Sequence, residues 1–194
     1  MARTPSTMLA LGTPAPEFSL PDYDGRRYAL ADFAASPALL VAFICNHCPF
    51  VRHVRTEFAA LAREYQPRGL AVVAINSNDI EAYPQDGPDG MRAEAAELGY
   101  GFPYLLDEAQ SVAKDYCAAC TPDFFLFDAQ RRLVYRGQFD DSRPGNGRPV
   151  TGSDLRAAVE AALVGGSPDP DQLPSLGCNI KWRKGNEPDY YARG

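Results

Sequence analysis

Cys45-Asn46-His47-Cys48 stands where an unbroken apolar run gives way to an amphipathic stretch. Two thiols at this spacing can pass between dithiol and disulfide: one thiolate attacks a disulfide sulfur, and the second resolves the mixed disulfide that forms. If a strand ends and a helix begins here, the motif meets a helix N-terminus, whose unpaired N–H groups and partial positive charge favour thiolate over thiol. Cys45 is then the expected nucleophile and Cys48 the resolving thiol. His47, when protonated, adds to that stabilisation, and Asn46 completes the catalytic set. Stabilising the reduced form makes the couple more oxidising. Residues three apart on a helix hold their Cβ atoms about 5–6 Å apart, beyond the roughly 3.5–4.5 Å of a relaxed disulfide, so a strained, exchangeable bridge is expected. The competing reading is a pair of cysteines that only packs.

Cys117-Ala118-Ala119-Cys120 repeats the spacing and runs directly into Thr121-Pro122-Asp123. It reads either as a second redox pair relaying electrons with the first or as two small buried residues closing a helix. Cys178, in a Gly/Pro-rich tail beside Asn179-Ile180-Lys181-Trp182, suits a structural role better than that of an extra resolving thiol. Four thiolates could also close a tetrahedral zinc site, but the stretch between Cys48 and Cys117 far exceeds the about 15–20 residues of a zinc ribbon, so no metal is expected. His53, among arginines, reads as solvated, and Tyr100 and Tyr104 as packing residues. Pro144-Gly145-Asn146-Gly147 neither follows a strand nor opens a helix with Lys, so it is no phosphate cradle. No cofactor is expected.

The elements that must position these residues follow from periodicity. Leu11 to Leu30 alternates around Asp24-Gly25, a hairpin signal. Ala38 to Ile44 is continuously apolar, as in a strand buried on both faces. Beyond Pro49, Val51, Val54, Phe58, Leu61 and Tyr65 recur at helical spacing, and Leu70 to Ile75 forms a second buried strand, so strand, helix and strand make a parallel unit. Helices are expected at Met91–Leu98 and Ala109–Tyr116, entered past Asp89 and Asp107 as caps. Phe124–Phe127 and Leu133–Arg136 should pair as a hairpin through Asp128 to Arg131. Ser153 should cap a helix from Asp154 to about Val164, stopped by Gly165-Gly166.

The chain has 194 residues, 45% of them hydrophobic and 23% charged, a globular balance with room for one core. A formal net charge of -6 opposes binding to nucleic acid. No apolar run approaches the about 20 residues of a membrane-spanning helix, and none has the length of a signal-peptide core. Five cysteines, an odd number, do not suggest a secreted disulfide framework. A cytoplasmic protein with no nucleic-acid or membrane partner is the expectation.

APEFSL with a following DG, FICNHCPF, FPYLLDE and TPDFFLFD with its hairpin together resemble the alkyl hydroperoxide reductase/thiol-specific antioxidant (redoxin) family of thioredoxin-like proteins, over Leu11 to about Leu163. The resemblance implies an α/β thioredoxin fold: a central mixed sheet with helices on both faces, an N-terminal hairpin and an inserted helical segment around Asp79 to Tyr104. It implies a domain at 11–164 and a C-terminal extension at 165–194 packed on or near it. It further implies that Pro122 is cis and faces the CxxC, with Thr121 offering backbone groups to an incoming substrate. Departures from the family refine the expectation. Peroxiredoxins carry Pro and Thr or Ser seven and three residues before their reactive cysteine, where this chain has Ala38 and Ala42 (or Val41 and Cys45, counted from Cys48), and no Arg stands between Cys120 and Phe127. Thioredoxins proper have a buried Asp in the preceding strand, absent here, so the proton of the pair must be handled from elsewhere. A thiol-disulfide oxidoreductase is expected, exchanging with protein or low-molecular-weight disulfides and recharged by a thiol reductant, with a potential above that of thioredoxin. The alternatives are a thiol-dependent peroxidase and a catalytically silent zinc- or peptide-binding module.

Overall fold

The computed structural model describes residues 3–191. Its centre is a five-stranded sheet of β4 (Ala38–Phe43), β5 (Leu70–Asn76), β6 (Tyr104–Leu106), β8 (Asp123–Phe127) and β9 (Leu133–Gly137), in the spatial order β6-β5-β4-β8-β9. β4 pairs parallel with β5 and antiparallel with β8, so the sheet is mixed. Hydrogen-bonded on both edges, β4 is buried along its whole length, which is why it reads as a continuous apolar run rather than an alternating one.

Its side chains still alternate between faces. Leu40, Ala42 and Ile44 join a core with Val51, Phe58 and Leu61 of α1 (Pro49–Tyr65), Met91 of α2 (Pro88–Leu98) and Leu155 and Val159 of α4 (Ser153–Leu163). Leu39, Val41 and Phe43 face the other core, with Val112 and Ala113 of α3 (Ser111–Asp115) and with Phe18 and Leu30 beside the N-terminal hairpin. That hairpin pairs β2 (Ser19–Pro21) with β3 (Arg27–Ala29) around the expected Asp24-Gly25 turn. This is the thioredoxin arrangement, helices on both faces of a mixed sheet. No described helix is long and apolar enough to cross a membrane.

Three local readings change. Helix α2 starts at Pro88 with Gly87 as N-cap, and Asp89 lies inside its first turn, paired with Arg92 rather than capping. Helix α4 starts at Ser153 itself: Gly152, in the left-handed region at φ 65°, is the N-cap. Asp140 Oδ2 binds the N–H groups of Thr151 and Gly152 instead, and a Cβ at residue 152 would strike the Phe139 ring. Asp107 does cap, accepting the Ala113 N–H at 2.9 Å, though α3 is shorter than the expected Ala109–Tyr116. The inserted segment holds α2 and ends in β6, a strand too short to show a period, which pairs parallel with β5.

A second, three-stranded sheet lies over the end of the first. β10 (Leu176–Asn179) is its middle strand, antiparallel to β1 (Arg3–Pro5) on one side and to β7 (Cys120–Thr121) on the other. Cys178 pairs with Arg3 across one edge and with Thr121 across the other. The Gly/Pro-rich tail thus contributes a strand beside Pro122.

Candidate active site

Strand β4 hands over to α1 through Cys45 to Cys48. Ile44 still donates to the Ile75 carbonyl at 3.0 Å, after which the chain leaves the sheet. Cys48 is the N-cap of α1, with extended backbone at φ -65° and ψ 123°, and Pro49 occupies the first turn, where its missing N–H costs nothing. The motif therefore lies ahead of the helix and is not wound into its first turn, so the helical spacing expected between the two sulfurs does not apply.

Both thiols meet Thr121. Cys45 Sγ is 3.4 Å from the Thr121 hydroxyl oxygen, and Cys48 Sγ donates to the Thr121 carbonyl at 3.2 Å. The Thr121–Pro122 bond is cis, as the resemblance implied. All five thiols of the chain are reduced, and Cys45 and Cys48 are both buried.

The charge is placed differently from the expectation. Burial holds the Cys45 thiol well up, with Cys48 and Asp86 adding to the effect. The Cys48 thiol is lowered: Cys178 and Cys45 hydrogen-bond to its sulfur, and the Val51 N–H of the first turn of α1 points at it. The helix N-terminus acts on the residue that caps it, which is Cys48. Within the reduced pair these surroundings favour the proton on Cys45 and the charge on Cys48.

Asp86, fully buried in the inserted segment, organises the loop. Its Oδ1 accepts the N–H groups of Asn46 at 2.9 Å and His47 at 3.1 Å. Its Oδ2 lies 2.5 Å from His47 Nδ1 and accepts the Asn78 amide at 2.9 Å. Tyr83 stacks on the His47 ring at 5.2 Å between centroids. Asn46 is likewise tied down: its side chain donates to the Gln85 carbonyl and accepts from the Tyr104 hydroxyl at 2.9 Å. Asn46 thus serves as scaffold, and Tyr104, read as packing, also orients it.

One ring nitrogen of His47, one oxygen of Asp86 and Cys45 Sγ lie within 4.8 Å of one another, the only trio among the described residues with the spacing of a metal site. Nδ1 and Oδ2 are spent on each other, so the geometry is that of a hydrogen-bonded dyad beside a thiol. Cys120, on β7 beside Thr121, lies near enough to Cys48 for that sulfur's charge to act on it, but no set of three of the chain's thiols has metal spacing among the described residues. Burial raises both thiols, with Asp115 adding to Cys117 and Asp123 to Cys120. His53 is not free in solvent: its Nε2 sits 3.1 Å from Ser142 Oγ.

Sequence reasoning missed Asp86 and the strand that carries Cys178. Asp86 lies in a turn 39 residues from His47 with no spacing signal to link them. Cys178 carried one clue, an apolar neighbour in Ile180 within an otherwise irregular tail.

Several known proteins share this architecture. A hypothetical protein from Sinorhizobium meliloti 1021 superposes with a TM-score of 0.92 and 59% identity, over 94% of this chain and all of that one. The thiol-disulfide oxidoreductase ResA of Geobacillus thermodenitrificans is 26% identical over 132 residues, 67% of this chain and 70% of ResA. A thiol:disulfide interchange protein of Chlorobium tepidum TLS, at 21% identity, shares the fold with a TM-score of 0.61 over 79% of this chain and 98% of its own. The model of the AhpC/TSA family matches residues 11–136, a span that takes in the CxxC, the inserted segment and the cis-proline strand alike, and the chain belongs to that family.

Proposed function

We propose that the protein is a thiol-disulfide oxidoreductase working through a Cys45–Cys48 dithiol/disulfide couple. The observation that carries this reading is the convergence of both sulfurs on Thr121, next to cis-Pro122, with the His47–Asp86 dyad alongside. His47, held by Asp86, takes the proton of the Cys45 thiol. Cys45 attacks one sulfur of a disulfide R–S–S–R′, forming a mixed disulfide and releasing R′–SH, with the proton delivered to the leaving sulfur. Cys48 attacks Cys45 Sγ as the thiolate, releasing the second sulfur as R–S⁻, which takes its proton from solvent. The substrate is reduced by two electrons and the protein is left with a Cys45–Cys48 disulfide, which an external thiol reductant opens again. The substrates are protein or low-molecular-weight disulfides.

Cys48→Ser tests the assignment. Treated with oxidised glutathione, this variant should hold a glutathione adduct on Cys45, while wild type releases it and forms the internal disulfide. A variant that stays unmodified at Cys45, together with a wild type that forms no internal disulfide at any glutathione ratio, would overturn the reading.

A further inference from the structure

Cys178 Sγ is hydrogen-bonded to Cys48 Sγ, as Cys45 Sγ also is. Cys48 is therefore the middle sulfur of three, in contact with both Cys45 and Cys178, all in one buried cluster. Strand register puts Cys178 there: it faces Thr121 across the β10–β7 ladder, and Thr121 is the residue whose carbonyl Cys48 contacts at 3.2 Å. The strand is clamped at every point around it. Ser6 donates to the Ser175 carbonyl at 2.9 Å, and Ile180 donates to the Ala119 carbonyl at 3.1 Å. At Gly177 the Thr121 carbonyl approaches so closely that no side chain fits. Just past Ile180, the Lys181 N–H binds Asn78 Oδ1 at 2.9 Å, and the amide of the same Asn78 binds Asp86. The tail is thus fastened both to the strand carrying Thr121 and to the residues that orient His47. A spacer residue would need no such registration against Cys48.

We infer that Cys178 is a third redox thiol, which attacks Cys48 in the Cys45–Cys48 disulfide to give a Cys48–Cys178 disulfide and a Cys45 thiol. The inference rests on the proposed thiol-disulfide activity. One S–S bond forms and one breaks, the proton of Cys178 passes to the Cys45 sulfur, and no net oxidation or reduction occurs. The oxidised protein then exists as two isomers that share Cys48, and in one of them Cys45 is again a thiol.

The test is a disulfide map. The full-length protein is oxidised with glutathione disulfide, quenched in acid, alkylated and digested with trypsin without reduction. Cys45 and Cys48 share one tryptic peptide and Cys178 lies in another, so the two isomers separate by mass as an internally looped peptide and a cross-linked pair. Wild type should yield both. Cys45→Ser should still yield the cross-linked pair, and Cys178→Ser should lose it completely while keeping the loop. A wild type giving only the loop, with Cys178 fully alkylated, overturns the third thiol and leaves the parent activity standing. A wild type giving neither species overturns both. Should Cys45→Ser fail to fold, the wild-type map alone decides.

Discussion

His47 Nδ1 stands 2.5 Å from Asp86 Oδ2, joining the loop between the two reactive cysteines to a turn in the inserted segment. The same carboxylate receives two backbone N–H groups of that loop, so position and proton transfer depend on one buried residue. The buried acid of thioredoxins is missing from the strand before the motif, and here a carboxylate reaches the motif from the insertion.

His47→Ala should slow disulfide reduction by about 10²-fold at pH 7, the usual contribution of a positioned base. Cys45 keeps its proton because burial and Asp86 raise its thiol, so without His47 the attack waits on hydroxide. The deficit should shrink as pH rises toward 10, and a stopped-flow pH profile reads this directly. A deficit independent of pH would mean that His47 only holds the loop in shape.

Cys178→Ala should lower the reduction potential of the Cys45–Cys48 couple. The Cys178 thiol supports the Cys48 thiolate, and a hydrogen bond to a charged group contributes about 1.5–3 kcal/mol. At about 30 mV per 1.4 kcal/mol, the shift is roughly 30–60 mV downward from the wild-type value. Glutathione titration with alkylation and mass spectrometry measures it. Equal potentials in the two proteins would remove Cys178 from the electrostatics of the pair.

Asp123 should make the protein less stable as pH rises from about 4 to 7. It is fully buried, its Oδ1 has no partner, and burial pushes its carboxyl up to about 7 from 3.8. Between those values the folded state binds a proton that the unfolded state has lost, so unfolding free energy falls with rising pH and levels off above 7. At about 1.4 kcal/mol per unit, the span is up to about 4 kcal/mol. Asp123→Asn should flatten this slope in urea titrations at pH 4.5, 6 and 7.5. An unchanged slope would place the pH dependence elsewhere.

Gly177→Ala should loosen β10 from β7, because a Cβ there overlaps the Thr121 carbonyl. Overpacking of this kind costs about 1–3 kcal/mol. Alkylation of Cys48 by iodoacetamide should accelerate in step, since the strand that covers it is displaced. If the variant alkylates at the wild-type rate, β10 does not shield the pair.

The sheet was readable because its central strands are buried: Ala38 to Phe43 and Leu70 to Ile75 show unbroken apolar runs, and α1 shows its stripe in Val51, Val54, Phe58 and Leu61. Cys45, Cys48, Thr121 and Pro122 could be named because one short motif and one family pattern carry them. Asp86 could not, since a buried acid in a loop has no period and its partners lie far off in sequence. The capping reading of Ser153 failed because Gly152 could take the left-handed conformation and Asp140, earlier in the same loop, could bind the amides of Thr151 and Gly152. The helix N-terminus favours charge on Cys48 because the helix begins at Pro49, just past the motif, a detail of register that spacing alone does not contain.

The ladder between β10 and β7 has a consequence for who can be a customer. The edge of Thr121, by resemblance the place for an incoming peptide, is already taken by the chain's own residues 176–179. A foreign peptide must compete with a tethered rival whose effective concentration is in the mM range or above. Only a peptide that binds β7 better than the tail does, or a disulfide small enough to reach Cys45 without pairing to β7, escapes that competition.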